Sequence, residues 1–561
     1  MLEEIKNIIK GEVSSNEKEL AIYSRDASIF EVKPSIVVWP KDTEDVKNLV
    51  KWVADNKDSH RDLSLTARSG GTDMTGGSLN DSIILDFTTH FSRILEIQCA
   101  SLQDTMTHIA GHATVEPGVF YRDFEKETLK KNLLLPSYPA SREICTVGGM
   151  VANDSGGEKS LRYGKTENYV EELNVVLSDG EEYVLKALTS EELEQKKSQD
   201  SFEGKIYRQM DDLLQSSHDL IQKARPNVSK NSAGYLLWNV CLPAEASAKA
   251  GPMFNLAQLF TGAQGTLGLI TKIKFRLIKP KKYSKLLVIF LRDLKSLGEV
   301  VNLVNKSEPE SFESYDDHTF KLAVKILPDL TKRMGISAMF KFIPDVWAIL
   351  TNGIPKMVML VEFTSDDEKQ LMDKIKKCQK DVSDKFGVKT RITKDEADAQ
   401  KYWTIRRESF NLLRKHVQGK KTAPFIDDVI VRPEYLPEFL PKLNAILDQY
   451  KNYMVYTIAG HPGDGNFHII PLMDLSDEKS REVIPELAEK VYSLVLEYHG
   501  SITAEHNDGL IRTPYLEKMY GPEVYGLFEK TKQIFDPKNI FNPGKKVGGN
   551  SKYAEDHIIR S

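Results

Sequence analysis

The pattern of apolar and polar residues changes near residue 280. Residues 36–54 combine a short apolar stretch, a proline-containing turn and an amphipathic stretch, which predict a strand, a turn and a helix. Residues 63–87 place a glycine-rich turn between two apolar strands. Beyond residue 280, strand-like stretches such as KLLVIFL and MVMLVEF alternate with charged helical stretches. The second half is therefore predicted to be a separate α+β domain.

Glycines concentrate in the first half of the chain. Of 34 glycines, 12 lie within residues 69–78, 146–164 and 262–268. A glycine loop lets backbone N–H groups converge on a pyrophosphate, although each loop alone also fits an ordinary tight turn. Gly77 stands where a P-loop has lysine, and no strand leads into an intact G-x-G-x-x-G. The three loops together favour a dinucleotide site that is neither a P-loop nor a Rossmann site.

Composition narrows the class of protein without naming an activity. Hydrophobic residues make up 40% and charged residues 28% of 561 residues, as in soluble globular proteins. The net charge of −5 argues against nucleic acid as a partner. The four cysteines form no C-x-x-C pair, which argues against an iron-sulfur cluster and suits a reducing cytoplasm. No signal peptide or transmembrane segment is expected, and Ile336–Pro355 is predicted to be buried, with peripheral membrane contact as the alternative.

Two histidines flank a glycine-rich turn in the second half of the chain. His461 and His468 lie seven residues apart in GHPGDGNFHI, and a turn at GDG would bring both imidazoles to one side. Two neutral nitrogen donors suit Zn²⁺, Mn²⁺ or Fe²⁺, and Glu505 in SITAEHNDG is the candidate oxygen donor. His506 would then face the reaction as a base. The alternative is that these are ordinary surface-loop histidines.

An arginine pair is the candidate carboxylate-binding element. YWTIRRESF contains Arg406 and Arg407, and a guanidinium binds a carboxylate through two parallel hydrogen bonds. A salt bridge on a helix surface is the alternative for either residue.

The loops ARSGGTDMTGGS, TVGGMVANDSGG, RYGKT and GAQGTLGLIT resemble, in this order, the flavin loops of the FAD-binding PCMH-type, or vanillyl-alcohol-oxidase-like, family. The resemblance runs from about residue 20 to residue 547. It points to the branch that contains D-lactate dehydrogenase, D-2-hydroxyglutarate dehydrogenase and the glycolate oxidase flavin subunit. It implies an α+β fold with a two-subdomain FAD-binding domain at 1–280 (core 36–187) and a substrate (cap) domain with an antiparallel sheet at 281–500. A C-terminal segment at 501–550 would return to the FAD domain, ahead of a flexible tail at 551–561.

The resemblance also implies the residues around the cofactor. FAD would be noncovalent, because relatives with covalent flavin have histidine where this chain has Thr72. The implied FAD-binding residues are Ser69, Gly70, Gly71, Thr72, Asp73, Gly76, Gly77, Ser78, Thr146, Gly148, Gly149, Ala152, Asn153, Ser155, Gly156, Gly265, Thr266, Ile270 and Asn542.

By the same resemblance His461, His468 and Glu505 would bind a divalent metal, Zn or Mn, with His506 as the base and Arg406 as the carboxylate ligand. The implied reaction is oxidation of a D-2-hydroxy acid to the 2-oxo acid. This chain has Ile470 where the hydroxyglutarate enzymes have asparagine, and Phe410 where they have threonine. D-lactate is therefore the first expected substrate. D-2-hydroxyglutarate is an alternative substrate, because Lys420 and Lys421 could bind its second carboxylate. Oxidation of glycolate, or an FAD-linked alcohol or sugar oxidase activity, are further alternatives.

The closing segment IFDPKNIFNPGKKV also resembles the family, whose larger members continue into iron-sulfur modules. Electrons are thus expected to leave through a separate acceptor, such as an iron-sulfur protein, a cytochrome or a quinone, with oxygen left open. The protein is expected in the cytoplasm or at the membrane periphery, and a homodimer is possible.

Overall fold

The computed structural model describes residues 1–100, 109–242, 253–317, 319, 354–416 and 419–560, with the side chains of 408–416 left out. Most of the apolar stretch Ile336–Pro355 and the side chain of Phe410 therefore lie outside the described residues. Within them, no helix combines the length and the apolar character that crossing a bilayer requires.

The N-terminal subdomain is built on a four-stranded sheet, three strands of which are parallel. In spatial order its strands are Glu12–Ser14, Ile36–Trp39, Ile83–Asp86 and Leu65–Arg68. Its helices are Leu2–Ile8, Glu17–Tyr23 and Thr43–Asn56. The last helix begins after Asp42, whose side chain accepts the N–H of Asp45. It buries valines and leucine at helical spacing, as the pattern of residues 36–54 predicts.

A second subdomain surrounds a five-stranded antiparallel sheet. Its strands, in spatial order, are Ile94–Cys99, Gly111–Val115, Leu269–Leu277, Val170–Val176 and Glu182–Lys186. Buried and half-buried residues alternate strictly along Leu269–Leu277, because this strand packs one face against the core. A short pair, Cys241–Leu242 and Met253–Phe254, lies apart from the sheet. The helices are Tyr121–Lys130, Val147–Asn153, Ser160–Tyr163, Ser190–Lys197, Phe202–Ser216, His218–Ala224 and Leu256–Phe260.

The cap domain contains an eight-stranded antiparallel sheet, as expected for a separate α+β unit. Its strands in spatial order are Lys389–Ile392, Tyr283–Leu291, Met357–Ser365, Ser311–Asp316, Met454–His461, Asn466–Met473 and Lys421–Thr422, and Val429–Ile430 also pairs with Asn466–Met473. Its helices are Leu297–Asn305, Glu368–Phe386, Glu396–His416, Leu436–Asp448 and Glu478–Glu497.

The C-terminal segment returns to the N-terminal sheet. Its helices are Gly509–Arg512, Leu516–Phe535 and Ser551–Asp556, and a left-handed Gly521 (φ +77°) interrupts the second of them. Leu65 donates to the carbonyl of Ile540, and Asn542 donates back to the carbonyl of Leu65. Residues 551–560, expected to be a flexible tail, include the buried Ile558 and Ile559. The fold is thus an α+β arrangement in which both chain ends lie at the N-terminal subdomain.

Candidate active site

A cavity of about 820 Å³ lies between the two N-terminal subdomains and the cap sheet. Its volume falls within the range usual for small-molecule and cofactor sites. One wall includes the three glycine loops, and the other includes residues of the cap strands together with Glu505 and His506. The predicted cofactor residues in the wall are Ser69, Gly70, Gly71, Thr72, Asp73, Gly77, Ser78, Thr146, Gly148, Gly149, Ala152, Asn153, Ser155, Gly156, Gly265 and Ile270.

Gly76, Thr266 and Asn542, which the family resemblance places at the cofactor, lie behind this wall. A side chain at Gly76 would meet Phe30 and Leu510, on the far side from the cavity. The Thr266 hydroxyl bonds to the Tyr235 hydroxyl at 2.7 Å. Asn542 donates to the carbonyls of Gly77 and Gln264, at 2.8 and 2.7 Å. Thr266 and Asn542 hold the loops together, and none of the three residues lines the cavity.

The cap hairpin presents His461 and His468 on one face. His461 ends one strand, and His468 on the next strand pairs with Ala459. The turn between them closes through the N–H of Asp464, which donates to the carbonyl of His461, and through a left-handed Gly465 (φ +76°). Because side chains alternate across a strand, both imidazoles face the cavity together with Ala459. The structure thus forms the turn that the GDG sequence predicts.

Three donor atoms converge at this face. His468 Nε2 lies 3.2 Å from His461 Nε2, which lies 3.5 Å from Oε2 of Glu505. Metal bonds of about 2.0–2.1 Å in tetrahedral geometry place neighbouring donors about 3.3 Å apart. The three side chains are nearly buried, at 6%, 9% and 4% exposure, so few waters compete for these donors. Their spacing and chemistry therefore fit a divalent cation.

Each imidazole is oriented from behind by a carboxylate. His461 Nδ1 lies 2.5 Å from Oε1 of Glu313, and His468 Nδ1 lies 3.1 Å from Oδ1 of Asp427. Such contacts fix the tautomer that leaves Nε2 free to bind a metal. Burial alone would raise the pKa of Glu313, but the charges of His461 and Arg406 lower it to about 2. Glu313 is therefore ionised and able to hold its imidazole at any ordinary pH.

Asp428 builds the turn that carries Glu505 and His506. Its Oδ2 accepts the N–H groups of Ala504, Glu505 and His506 at 2.7–2.9 Å, and the Thr503 hydroxyl at 2.8 Å. Asp428 has donor atoms within 4.8 Å of those of His468, Glu505 and His506, so it belongs to a second conceivable metal cluster. Its Oδ2 accepts four hydrogen bonds and its Oδ1 accepts one from the Asn466 amide at 3.0 Å, so Asp428 organises the backbone here.

His506 stacks on His468 at the edge of the cavity. The two rings are 5.0 Å apart and inclined by 17°. His506 Nδ1 lies 3.0 Å from Oδ2 of Asp427, within ion-pair range but out of line for a hydrogen bond. Burial alone would lower the pKa of His506, but the charges of Asp427 and Asp428 raise it to about 9 in the absence of metal. A cation at the neighbouring donors opposes that shift by adding positive charge.

The two arginines occupy different positions. Arg406 Nε donates to Oε2 of Glu313 at 2.9 Å, so the arginine lies beside the carboxylate that orients His461. Arg407 pairs with Glu158 at 2.8 Å, and its side chain is 46% exposed. Both arginines line the cavity, and Arg406 is the one next to the donor cluster.

Hydrogen bonds tie the cofactor loops to the loop after Ala504. Asn153 donates to the carbonyl of Glu505 at 3.1 Å, and Asn507 donates to the carbonyls of Asn153 and Gly262 at 3.2 and 2.8 Å. A Cβ at Gly156 would lie 2.7 Å from Oε1 of Glu505, so this glycine makes room for the carboxylate. The glycine-loop wall and the donor cluster therefore share one framework.

Sequence inspection missed Glu313, Asp427 and Asp428. The signals were present: Glu313 is an acid inside the strand Ser311–Asp316, all of whose residues are buried, and the two aspartates follow the apolar FI of TAPFIDDVIV. A charged residue in a buried strand needs a partner, and for Glu313 the partner is His461.

The domain comparisons agree with this architecture. Residues 34–186 match an FAD binding domain, and residues 280–546 match the C-terminal domain of FAD linked oxidases. The chain belongs to the FAD-linked oxidase family. The FAD cofactor and the α+β PCMH-type fold that the loops predict are thereby confirmed.

Among the relatives of this chain is D-2-hydroxyglutarate dehydrogenase of Pseudomonas putida, 28% identical over 97% of this chain and 51% of the relative. The chain thus spans about half the length of that protein. The glycolate oxidase subunit GlcD of Bacillus subtilis is 26% identical over 93% of this chain and 91% of its own length. Proteins named D-lactate dehydrogenase also match. The 4-ethylphenol oxidase of Gulosibacter chungangensis shares the fold (TM-score 0.67, 17% identity, 98% of this chain and 97% of that one).

Adjacent glycines allow a test of the FAD wall. A Cβ at Gly148 would lie 2.4 Å from Cβ of Pro117, whereas a Cβ at Gly149 would meet only Thr146 and Ser69 at 3.5 Å or more. We expect Gly148→Ala to lower the free energy of unfolding of the apoprotein by about 1–3 kcal/mol through overpacking. We expect Gly149→Ala to leave it unchanged or raised and yet to lower FAD content. Denaturant titration and the flavin-to-protein absorbance ratio measure both; equal apoprotein stability in the two variants would contradict the packing argument.

Proposed function

We propose that the protein is an FAD-dependent dehydrogenase that oxidises a D-2-hydroxy acid, with D-lactate as the first substrate, at a divalent cation held by His461, His468 and Glu505. The observation that carries this proposal is that His461 Nε2 lies 3.2 Å from His468 Nε2 and 3.5 Å from a carboxylate oxygen of Glu505, in the wall of the cavity that the FAD loops line. The names of the relatives support the substrate class.

The donor set suits zinc or manganese. Two imidazole nitrogens and one carboxylate oxygen are ligands that both ions accept. A metal site with three protein ligands leaves coordination positions open for the substrate. When bound, the cation supplies a Lewis acid that lowers the pKa of the substrate hydroxyl and fixes its orientation.

His506 and Arg406 have separate roles in the proposed reaction. His506 accepts the hydroxyl proton. Its ring lies against His468 and its Nδ1 lies against Asp427, so Nε2 is the nitrogen that is left for the substrate. Arg406 binds the substrate carboxylate beside the donor cluster. The FAD, noncovalent because Thr72 replaces the attachment histidine, supplies the acceptor for the hydride that leaves the Cα atom. The product is the 2-oxo acid.

The cavity next to the donor cluster is suited to a short substrate. Thr457, Ala459 and Ile470 extend from the two histidines along the same face of the hairpin and line the cavity. Neither Lys420 nor Lys421, the candidates for a second carboxylate, is among the lining residues. This favours D-lactate over D-2-hydroxyglutarate, with glycolate as the smaller alternative.

Substitution of Arg406 tests carboxylate binding. We expect Arg406→Met to raise KM for the hydroxy acid by about tenfold to a hundredfold, because a charge-assisted contact is worth about 1.5–3 kcal/mol. Arg407→Met, which removes the half-exposed neighbour, serves as the control. Steady-state kinetics with a dye acceptor measure both, and a larger effect at Arg407 would contradict the assignment.

The activity itself is tested by anaerobic bleaching of the flavin. The purified protein, supplied with zinc or manganese, is mixed with D- and L-lactate, glycolate, D-2-hydroxyglutarate and D-malate. We expect D-lactate to reduce the flavin fastest. Absence of bleaching by all of these acids would contradict the proposed function, and metal-independent bleaching by an alcohol or sugar would replace it with an FAD-linked alcohol or sugar oxidase.

We further propose that electrons pass to a separate acceptor, namely an iron-sulfur protein, a cytochrome or a quinone. Reoxidation of the reduced flavin by quinone analogues, cytochrome c and oxygen distinguishes these classes of acceptor. A cytoplasmic location, or one at the membrane periphery, and a homodimeric state remain predictions from the sequence.

A further inference from the structure

Lys230 approaches the metal-binding carboxylate from behind. Its Nζ lies 2.6 Å from Oε1 of Glu505 and 3.0 Å from Oδ2 of Asp464, and its side chain is 2% exposed. Lys230 is not among the residues that line the cavity, so it contacts the carboxylate without facing the substrate. One buried ammonium thus stands between two buried carboxylates.

The backbone next to Lys230 is fixed against the segment that carries Glu505. Ser232 donates its N–H to the carbonyl of Thr503 at 3.1 Å and its hydroxyl to the carbonyl of Ala504 at 3.0 Å. The Ser501 hydroxyl donates to Oδ1 of Asn231 at 2.6 Å. Residues 230–232 therefore run beside residues 501–505, and the ammonium group has little freedom to leave Glu505.

The two oxygens of Glu505 consequently have different surroundings. Oε1 is held by Lys230, whereas Oε2 lies on the side of His461 Nε2. We propose that Lys230 is a positioning residue that restricts Glu505 to binding the cation through one oxygen. This inference rests on the proposed function, because it concerns the same cation.

The restriction matters for chelation of the substrate. A carboxylate has two oxygens that can both bind one cation. If Glu505 bound the cation through both oxygens, it would occupy two adjacent coordination positions of the cation and not one. A 2-hydroxy acid needs two adjacent positions, one for its hydroxyl and one for its carboxylate. By occupying Oε1, Lys230 keeps the second of these positions open.

The test separates this role from simple charge balance. Lys230→Met alone would leave two buried carboxylates without a cation, so the informative variant is Lys230→Met combined with Asp464→Asn. It removes one positive and one negative charge together. Asp464→Asn alone is the matched control, since it keeps the contact between Lys230 and Glu505. Zinc and FAD content are measured first in the wild type, the double variant and Asp464→Asn.

Two probe ligands then report on the open positions. Pyruvate offers two adjacent oxygens to the cation, and propionate offers only a carboxylate. We expect the ratio of the propionate Kd to the pyruvate Kd, measured by titration calorimetry on the zinc-loaded oxidised protein, to fall by about tenfold or more in the double variant. The ratio should be unchanged in Asp464→Asn.

The possible results are distinct. Equal ratios in the wild type and the zinc-loaded double variant would overturn the positioning role and leave the proposed function intact. Loss of zinc from the double variant alone would also overturn it, because Lys230 would then be needed for occupancy and not for the mode of ligation. A wild type that binds no metal would contradict the proposed function itself.

Discussion

Replacing His506 by asparagine should leave FAD bound and lower the rate of flavin reduction by the hydroxy acid by about 10²–10⁴-fold, the usual contribution of a general base. Asparagine occupies similar space and keeps a polar group near Asp427, but it cannot accept the hydroxyl proton. Because Asp428 holds the backbone N–H of residue 506 and not its side chain, the turn should remain intact. Anaerobic stopped-flow absorbance at the flavin band measures the rate.

His499 provides the control for this substitution. It is exposed and has a positive φ of 52°, which asparagine tolerates, so His499→Asn should not change the rate. A reduction rate in His506→Asn within a few-fold of the wild type would show that another group takes the proton, and that the catalytic assignment is wrong.

Removal of His461 should abolish metal binding without removing the flavin. His461→Ala deletes one of three protein ligands, so we expect the metal affinity to fall by more than the roughly 10–100-fold typical of residues that only support a ligand. Glu313 keeps its contact with Arg406 at 2.9 Å, which limits the penalty of the lost imidazole. Elemental analysis and the visible spectrum report metal and FAD separately, and chelation of the wild type should reproduce the loss of activity.

The matched control is His112, which lies 2.6 Å from Glu171 in a histidine-carboxylate pair that does not line the cavity. His112→Ala should keep both metal and activity. Full metal occupancy in His461→Ala would instead move the cation to the cluster around Asp428.

The sequence was most informative where function depends on local chain geometry. The glycine loops indicate where the backbone approaches a ligand. The spacing of the histidines around GDG predicts that both imidazoles lie on one face of the hairpin. The α+β character of the cap follows from its alternating strand and helix patterns, and the antiparallel sheet follows from the family resemblance. These features involve residues that are close in the sequence or that match family motifs.

Sequence inspection was least informative where partners come from distant segments. Glu313 meets His461 across 148 positions of the chain, and Lys230 meets Glu505 across 275. No local pattern specifies such pairs. The first depends on the pairing of two distant strands within the cap sheet, and the second depends on residues 230–232 lying beside residues 501–505. The same limit applies to Gly76, Thr266 and Asn542, which the family resemblance places at the cofactor and which do not line the cavity.

The hydrogen bonds of Asn153 and Asn507 have a consequence for assembly of the holoenzyme. The loop at residues 505–507 is bonded to the flavin side through the side-chain amides of Asn153 and Asn507, and it carries the proposed metal ligand Glu505. Binding of either FAD or the metal therefore orders the loop, which lowers the entropic cost of binding the other. Thermodynamic reciprocity then requires each guest to tighten the other by the same factor. The apoprotein should accordingly bind FAD and the metal cooperatively. Molecules that hold only one of the two should be scarce at intermediate concentrations of both.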